Sequence, residues 1–454
     1  MPTGTINEME ELAQRIKEFL EQKRLFDIKR IINDLHPADL ADLMTFFDRD
    51  DQVVLFRLLK KDMAIAVFEQ LDFERQENLL NSFTDDRVSE ILNSMSPDDR
   101  TELLDELPAK VVKKLLLLLN PDQRKMASLL LGYRENSAGR IMNPGYIDLK
   151  ENYTIAQALE RIRKLSPPED LIYTAYVTDN QRHLIGTVTL RDLILSPPEK
   201  KVVEIMDTDV IYVTTDDDQE LVARNIQKYD LLSLPVVDHE RRLVGVVTVD
   251  DAIDIIEQEA TEDIHRLAAI HTTEDEYLHS TILEKVRNRI FWLVALLLGG
   301  MVTSFVIQNQ SELIQTVVSL SFFIPALTDT GGNVGSQSTT IMVRGIALNE
   351  VDSRNIVKIA LIESLVGSIL GGMLGLVGLL RVILLREPIM IGITVGLALW
   401  IVVFVSNLIG ILLPLFLKKL RFDPALSATP VITTIVDVIG VYLYFQIAHI
   451  FIKF

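Results

Sequence analysis

Five apolar stretches in the C-terminal part of this chain, at 290–307, 313–347, 356–380, 389–417 and 425–450, limit what it can become. Crossing the hydrocarbon core of a bilayer takes roughly 20 predominantly apolar residues, and these runs are of that order. A soluble core helix rarely continues so long without charge. The expectation is an all-α polytopic membrane domain of five transmembrane helices over residues 281–454. Basic residues orient it, because short loops rich in Lys and Arg stay on the cytoplasmic side. Lys285, Arg287 and Arg289 precede the first stretch, and the following loop at 308–312 has none. Arg344, Arg354 and Lys358 lie between the second and third stretches, and Lys418, Lys419 and Arg421 between the fourth and fifth. Arg381 and Arg386 fall on the other side and oppose the pattern. The balance puts the N-terminus in the cytoplasm and the C-terminus outside, in a protein of the cell (inner) membrane surrounded by membrane lipids.

Two of the stretches carry polar groups at depth. Asp437 lies twelve residues into the last one, with no basic residue nearby to pair with it. A lone carboxylate there is costly unless it faces protein or water, so it marks a functional site by default. Pro430, Thr433 and Thr434 lead up to it. The second stretch is overlong and contains Pro325-Ala-Leu-Thr-Asp-Thr-Gly-Gly-Asn-Val-Gly-Ser-Gln337. Proline and glycine can break a helix and expose carbonyls, which at membrane depth requires burial in protein or a water-filled cavity. The alternative is close helix packing through Gly331, Gly332 and Gly335. Asp329 and Glu363 are further acids, nearer the ends of their stretches.

Charge divides the chain sharply. Residues 281–454 carry 12 Lys/Arg and 9 Asp/Glu, which leaves 33 basic against 55 acidic residues in 1–280, a balance of −22. Such a surface repels nucleic acid and attracts cations, although scattered acids also serve solubility. The absence of cysteine excludes disulfides and thiolate metal sites. The polar segment 1–23 has no signal-peptide character, so the acidic part is expected in the cytosol.

Residues 1–135 read as short amphipathic helices in an all-α superhelical N-domain. Helix starts recur at His36-Pro-Ala-Asp, Thr84-Asp-Asp-Arg, Ser96-Pro-Asp-Asp-Arg and Asn120-Pro-Asp-Gln-Arg. Capping side chains, Pro at the first position and acids in the first turn all favour a helix N-terminus. Their loose recurrence suggests stacked repeats, and most of these acids have a structural explanation. Residues 136–259 contain a clearer repeat. Leu184-Ile-Gly-Thr-Val-Thr-Leu-Arg-Asp192 and Leu243-Val-Gly-Val-Val-Thr-Val-Asp-Asp251 lie 59 residues apart, and Ile141-Met-Asn-Pro and Ile205-Met-Asp-Thr open the two copies. This resembles an α/β tandem pair of CBS domains, a regulatory module that in part of its members binds adenine nucleotides through the Thr/Asp turn. The resemblance implies ATP or a relative of it as a ligand, with Thr189, Arg191 and Asp192 as contacts. A connecting helix at 250–280, overlapping the end of the repeat, carries Asp250, Asp251, Asp254, Glu257, Glu259, Glu262, Asp263, Glu274 and Asp275. Like charges three and four residues apart destabilise a helix. A bound cation would relieve that penalty; a solvated connector is the plainer reading.

The order of parts, together with the Gly-Gly-Asn-x-Gly-x-Gln run, resembles the MgtE family of magnesium channels or transporters over nearly the whole chain. The resemblance implies a homodimer with Mg²⁺ passing along the two-fold axis, held as the hydrated ion by Asp437. The family's glycine segment matches Gly331, Gly332 and Asn333. Its regulatory acids match Glu220, Asp230, Asp251 and Asp254, then Glu259, Glu262, Asp263 and Asp423, with Asp98, Asp99 and Glu102 as N-domain candidates. The resemblance assigns nothing to Asp329, which leaves open an extra cation-binding group near the pore. Mg²⁺ prefers octahedral oxygen ligation and dehydrates reluctantly, which suits carboxylates with Thr433, Thr434 and backbone oxygens nearby. The gating this implies is interdomain bridging of acids by cytosolic Mg²⁺, which closes the pore. Two rivals stand beside it: a proton-coupled divalent carrier, and a membrane sensor of Mg²⁺ or nucleotide that transports nothing. No nucleophile–base pair or phosphate-binding glycine loop marks an enzyme.

Overall fold

The computed structural model describes residues 6–168, 170–270, 282–347, 350–351, 355–420, 422–424 and 429–452. Met1–Glu257 and Gln258–Phe454 form two compact units.

The first unit opens with ten short helices, from Ile6–Glu21 to Pro121–Leu130. Helices of this length are marginal alone in water, so they depend on a shared core that runs from Met9 through Phe56, Phe68 and Leu104 to Ala127. Local signals place their starts. Asp48, Asp72 and Ser96 accept hydrogen bonds from the backbone N–H of Asp51, Arg75 and Asp99 at 2.9, 3.0 and 3.3 Å. Pro37, Pro97 and Pro121 occupy the first helical position. Thr84 and Asn120 begin helices without a side-chain cap bond. The Asn120 N–H donates instead to Asn93 Oδ1 at 2.8 Å.

The loose recurrence of the sequence becomes a repeat of two helices every 24 residues. Gln52, Gln76, Arg100 and Arg124 each donate to a carbonyl eight residues earlier, at the end of the preceding helix. Those bonds reach Met44 at 3.0 Å, Phe68 at 2.8 Å, Leu92 at 3.0 Å and Leu116 at 2.6 Å. The last carbonyls of a helix lack intrahelical partners, so a donor from the next helix satisfies them and fixes the turn. Arg100 is fully buried, and also donates to Met95 O and to Gln123 Oε1 at 2.7 Å.

In the repeat that follows, β1 (Ile147–Lys150), β2 (Thr174–Thr178) and β3 (Leu184–Thr189) form one sheet, and β4 (Val213–Thr214), β5 (Ser233–Val237) and β6 (Leu243–Thr248) form another. In each sheet the first pair is parallel and the second antiparallel, with Thr174 opposite Thr189 and Ser233 opposite Thr248. The openings of the copies are exchanged. Asn143 pairs through its backbone with Val246, and Asp207 with Thr187. A Cβ on Gly245 would lie 2.7 Å from Met142 Sδ, and one on Gly186 would lie 2.7 Å from Met206 Sδ. Each glycine thus admits the methionine that opens the other copy. The connecting helix runs over Val249–Leu267 and ends before the expected 280, with Ala269 left-handed at φ 54°. Glu274 and Asp275 lie outside the described residues.

Among the described residues of the second unit, four helices are long and apolar enough to cross a membrane: Lys285–Gln308, Ile356–Leu384, Ile389–Lys419 and Thr429–Phe451. The expected second stretch differs. It divides into Ser311–Thr316, a 3-10 turn at Val318–Phe323, and one continuous helix, Ile324–Ala347, whose Thr, Asp, Asn, Ser and Gln content makes it less apolar than the others. The expected break at the glycines does not occur. Pro325 falls in the first turn, where a missing N–H costs nothing, and Gly331, Gly332 and Gly335 are buried against the last helix. Close packing through small residues is therefore what this run does.

Arg100→Leu should destabilise the helical repeat by about 2–4 kcal/mol, because buried carbonyls lose their donor. Hydrogen exchange on the purified chain should show faster exchange across 85–106 and little change across 37–57.

Candidate ion path and acidic regulatory site

Three membrane-region helices meet around residues 431–437. A Cβ on Gly299 would lie 2.6 Å from Thr434 Cγ2, and one on Gly332 would lie 3.0 Å from Thr433 Cγ2. Both threonine hydroxyls donate to Pro430 O at 2.9 Å. They turn toward their own backbone but keep oxygen lone pairs free to accept or to coordinate. Asp437 follows one turn later, half-buried, and makes no hydrogen bond or ion pair among the described residues. Gly331 and Gly332 are buried, whereas Asn333 is exposed on the same helix. The glycines thus act by packing, and Asn333 presents the polar side chain.

Sequence reasoning missed a second polar feature in this bundle. Asn407 is buried in the middle of Ile389–Lys419. Its Oδ1 accepts from Ser338 Oγ at 2.6 Å, and its Nδ2 donates to Glu363 O at 2.7 Å and Glu363 Oε2 at 3.2 Å. Thr339, also buried, donates to Gly410 O at 3.0 Å. One asparagine therefore ties three helices together, and its isolation in a 31-residue apolar helix was the available signal.

In the first unit, acids from the helical repeat and from the connecting helix gather. Asp98 accepts from Asn143 Nδ2 at 3.1 Å, Asp99 from Ser96 Oγ at 2.5 Å, and Glu69 from the Ser96 N–H at 3.1 Å. Burial first, then the Asp98, Asp99 and Asp170 charges, push Glu69 up to about 7. Burial and neighbouring Asp99 push Asp98 up to about 6. Asp251 is raised well above the usual range by burial, with Asp98 as the next cause, and Asp254 is raised by burial and then by Asp250. Glu69 and Asp170 carry no sequence motif and were not anticipated. Among the described residues no three His, Cys, Asp or Glu side chains converge as a preformed ion cage. The acids lie close enough for the charge of Asp99 to act on Asp98 and that of Asp98 on Asp251.

The other expected regulatory acids sit elsewhere. Glu220 is ion-paired with Arg224 on its own helix. Asp230 is the exposed, left-handed C-cap of that helix, a position that Asn and Asp tolerate well. Glu102 is exposed. In the second unit Arg266 pairs with both Glu262 and Asp423, and the charge of Asp263 also acts on it. Glu259 is half-buried on the same helix. The sequence reading counted these acids and left out the arginine among them.

The two Thr/Asp turns of the repeat are not equivalent. Thr189 is exposed, accepts from the Asp192 N–H at 3.1 Å and donates to Asp192 Oδ2 at 2.6 Å, with Arg191 exposed beside it. Thr248 is buried and donates to Asp251 Oδ2 at 2.5 Å, beneath the charge of Asp98. Of the two turns, the first is the exposed one.

Profiles of known families match the chain in three places. The MgtE profile, described as a divalent cation transporter, covers residues 324–447. The MgtE intracellular N domain covers 35–136, and the CBS domain covers 138–198 and 202–258. The magnesium transporter MgtE of Thermus thermophilus is 38% identical over 98% of this chain and 99% of its own length. That of Bacillus subtilis is 31% identical over 98% of both. A crystal structure of the cytosolic domain of the Mg²⁺ channel MgtE in complex with ATP is 38% identical, with a TM-score of 0.51, and covers 54% of this chain and 99% of that one. The soluble part of a magnesium transporter matches at 30% identity and a TM-score of 0.52, over 56% and 99%. The chain belongs to the MgtE family of divalent cation transporters.

Proposed function

We propose that this chain carries Mg²⁺ across the cell (inner) membrane through a path on which Asp437 holds the hydrated ion. The observation that carries the reading is a half-buried carboxylate without a partner inside an apolar helix, in a chain whose full-length relatives are magnesium transporters rather than enzymes. The other parts follow from it. Ile324–Ala347 serves as a fifth crossing, lined by Asn333 and packed through Gly331 and Gly332, and Thr433 and Thr434 offer oxygens beside Asp437. A homodimer places two copies of Asp437 about one axis, with the N-terminus cytoplasmic and the C-terminus outside. The working parts are an N-domain at 1–135, the CBS pair at 136–259, the connecting segment at 250–280 and the membrane domain at 281–454.

Closure is by Mg²⁺ on the acidic half. Asp98, Asp99, Asp251 and Asp254 would share outer-sphere ions where helical repeat and connecting helix meet, and Glu259, Glu262, Asp263 and Asp423 would do so nearer the membrane. Glu220, Asp230 and Glu102 are weaker candidates, since the first is already paired and the other two are exposed. ATP binds at the open turn of Thr189, Arg191 and Asp192, a reading supported by the ATP complex of the cytosolic relative.

Asp437→Ala should abolish Mg²⁺ flux into liposomes while leaving folding intact, and Asp437→Asn separates charge from size; wild-type flux in the alanine variant would end the assignment. Arg266→Gln should free Glu262 and Asp423 for the ion and lower the closing Mg²⁺ concentration roughly three- to tenfold, since a partly exposed pair is modest in strength. A higher closing concentration would instead make the arginine part of the closed state.

The acid cluster predicts a pH effect of definite sign. A carboxyl whose folded pKa is raised destabilises the packed state when ionised. For Glu69 that penalty is complete above about 7 and is relieved as pH falls toward 4.5. A fragment of residues 1–275 should therefore be most expanded at pH 8 without divalent ions, and should compact on acidification to pH 5.5 or on adding millimolar Mg²⁺. NaCl of matched ionic strength should do much less, because screening acts on all exposed charges alike. Equal scattering radii in the two salts would contradict the bridging role.

A further inference from the structure

Neither the resemblance nor the relatives give a role to Asp329, and its place in the bundle suggests one. It is exposed in the second turn of Ile324–Ala347 and shares a face with Asn333 and Gln337, four and eight residues on and also exposed. The glycine contacts fix how this helix meets Thr429–Phe451. A Cβ on Gly335 would lie 2.7 Å from Ile432, one on Gly332 would lie 3.0 Å from Thr433, and one on Gly331 would lie 2.8 Å from Val436. Moving back along one helix moves forward along the other, so the pair is antiparallel. Two residues before Gly331, the first helix has reached the level of about two residues after Val436, within one residue of Asp437. Asp329 thus stands level with Asp437, and its charge acts on that carboxylate. Neither makes a hydrogen bond or ion pair among the described residues.

We propose that Asp329 is a specificity-determining residue for transport, adding a second negative charge at the level of Asp437 and so favouring divalent over monovalent cations in the path. The inference rests on the assignment of Asp437 to that path. A Coulomb contribution is proportional to the charge of the passing ion. The factor by which Asp329 raises Mg²⁺ occupancy is therefore the square of the factor for Na⁺. Because Asp329 is exposed and the close contacts belong to the glycines, its charge can be removed without repacking the helix pair. A packing role would not scale with ion charge.

The test uses the full chain in liposomes, with wild type, D329N, D329E and D437N compared for Mg²⁺ flux, Mg²⁺/Na⁺ preference and response to a proton gradient. D329N should raise the half-saturating Mg²⁺ concentration roughly five- to tenfold and lower the Mg²⁺/Na⁺ preference about two- to threefold, and D329E should restore both. Loss of flux in D437N together with wild-type half-saturation and preference in D329N overturns the inference and leaves the path intact. Undiminished flux in D437N overturns the path itself, and the inference with it. Uptake driven by a proton gradient in wild type and lost in D329N would make the two acids a proton-exchanging pair, which also overturns the electrostatic role.

Discussion

Repulsion between carboxylates that lack cationic partners is the interaction on which the account depends. In the first unit it adds to burial, the larger cause, in raising Glu69, Asp98, Asp251 and Asp254 above the ordinary carboxyl range. In the second unit it is visible as the lack of any described partner for Asp437. Charge of this kind can be met by a proton, by a side chain or by an ion from solution. Arg266 shows the side-chain solution, closing on Glu262 and Asp423. At Glu69, Asp98, Asp251, Asp254 and Asp437 the described residues supply no such ion pair, and Mg²⁺ with its tightly held water suits carboxylates that lie near one another without converging.

Rigid packing is what brings these charges together. In the bundle, Gly331, Gly332 and Gly335 let the backbone of Ile324–Ala347 approach the last helix, and Asn407 joins Ser338 to Glu363 across three helices. In the first unit, donors recurring every 24 residues fix the helical repeat, and exchanged methionines lock the CBS copies to each other. These contacts leave little freedom for neighbouring acids to separate locally. Repulsion must then act between whole elements, which is the condition for an ion to shift an equilibrium between two arrangements.

Much of this was legible in the sequence, for identifiable reasons. The apolar runs, the repeated Gly-x-Val-Thr-x-x-Asp turn and the depth of Asp437 depend on local pattern, and local pattern is what a sequence displays. The 24-residue repeat was only partly legible because its key donor changes from Gln52 and Gln76 to Arg100 and Arg124, preserving hydrogen-bonding capacity but not identity. The glycine run was ambiguous because the same residues either break a helix or let two helices touch, and only the neighbour decides. The resemblance named Asp98 and Asp251 as separate regulatory acids without bringing them together, whereas Glu69, Asp170 and Arg266 come from distant elements and carry no motif. Glu220 and Asp230 matched a family pattern, but a neighbouring arginine and a helix cap give each a local role.

The most direct measurement of the central claim is Mg²⁺ flux in liposomes containing the chain in one orientation, with Mg²⁺ set independently on the face carrying the N-terminal half. If uncompensated carboxylates close the path by sharing ions, flux should fall steeply as Mg²⁺ on that face enters the millimolar range, while NaCl of matched ionic strength leaves it nearly unchanged. Flux that ignores Mg²⁺ on that face, or that falls equally in both salts, would contradict the account.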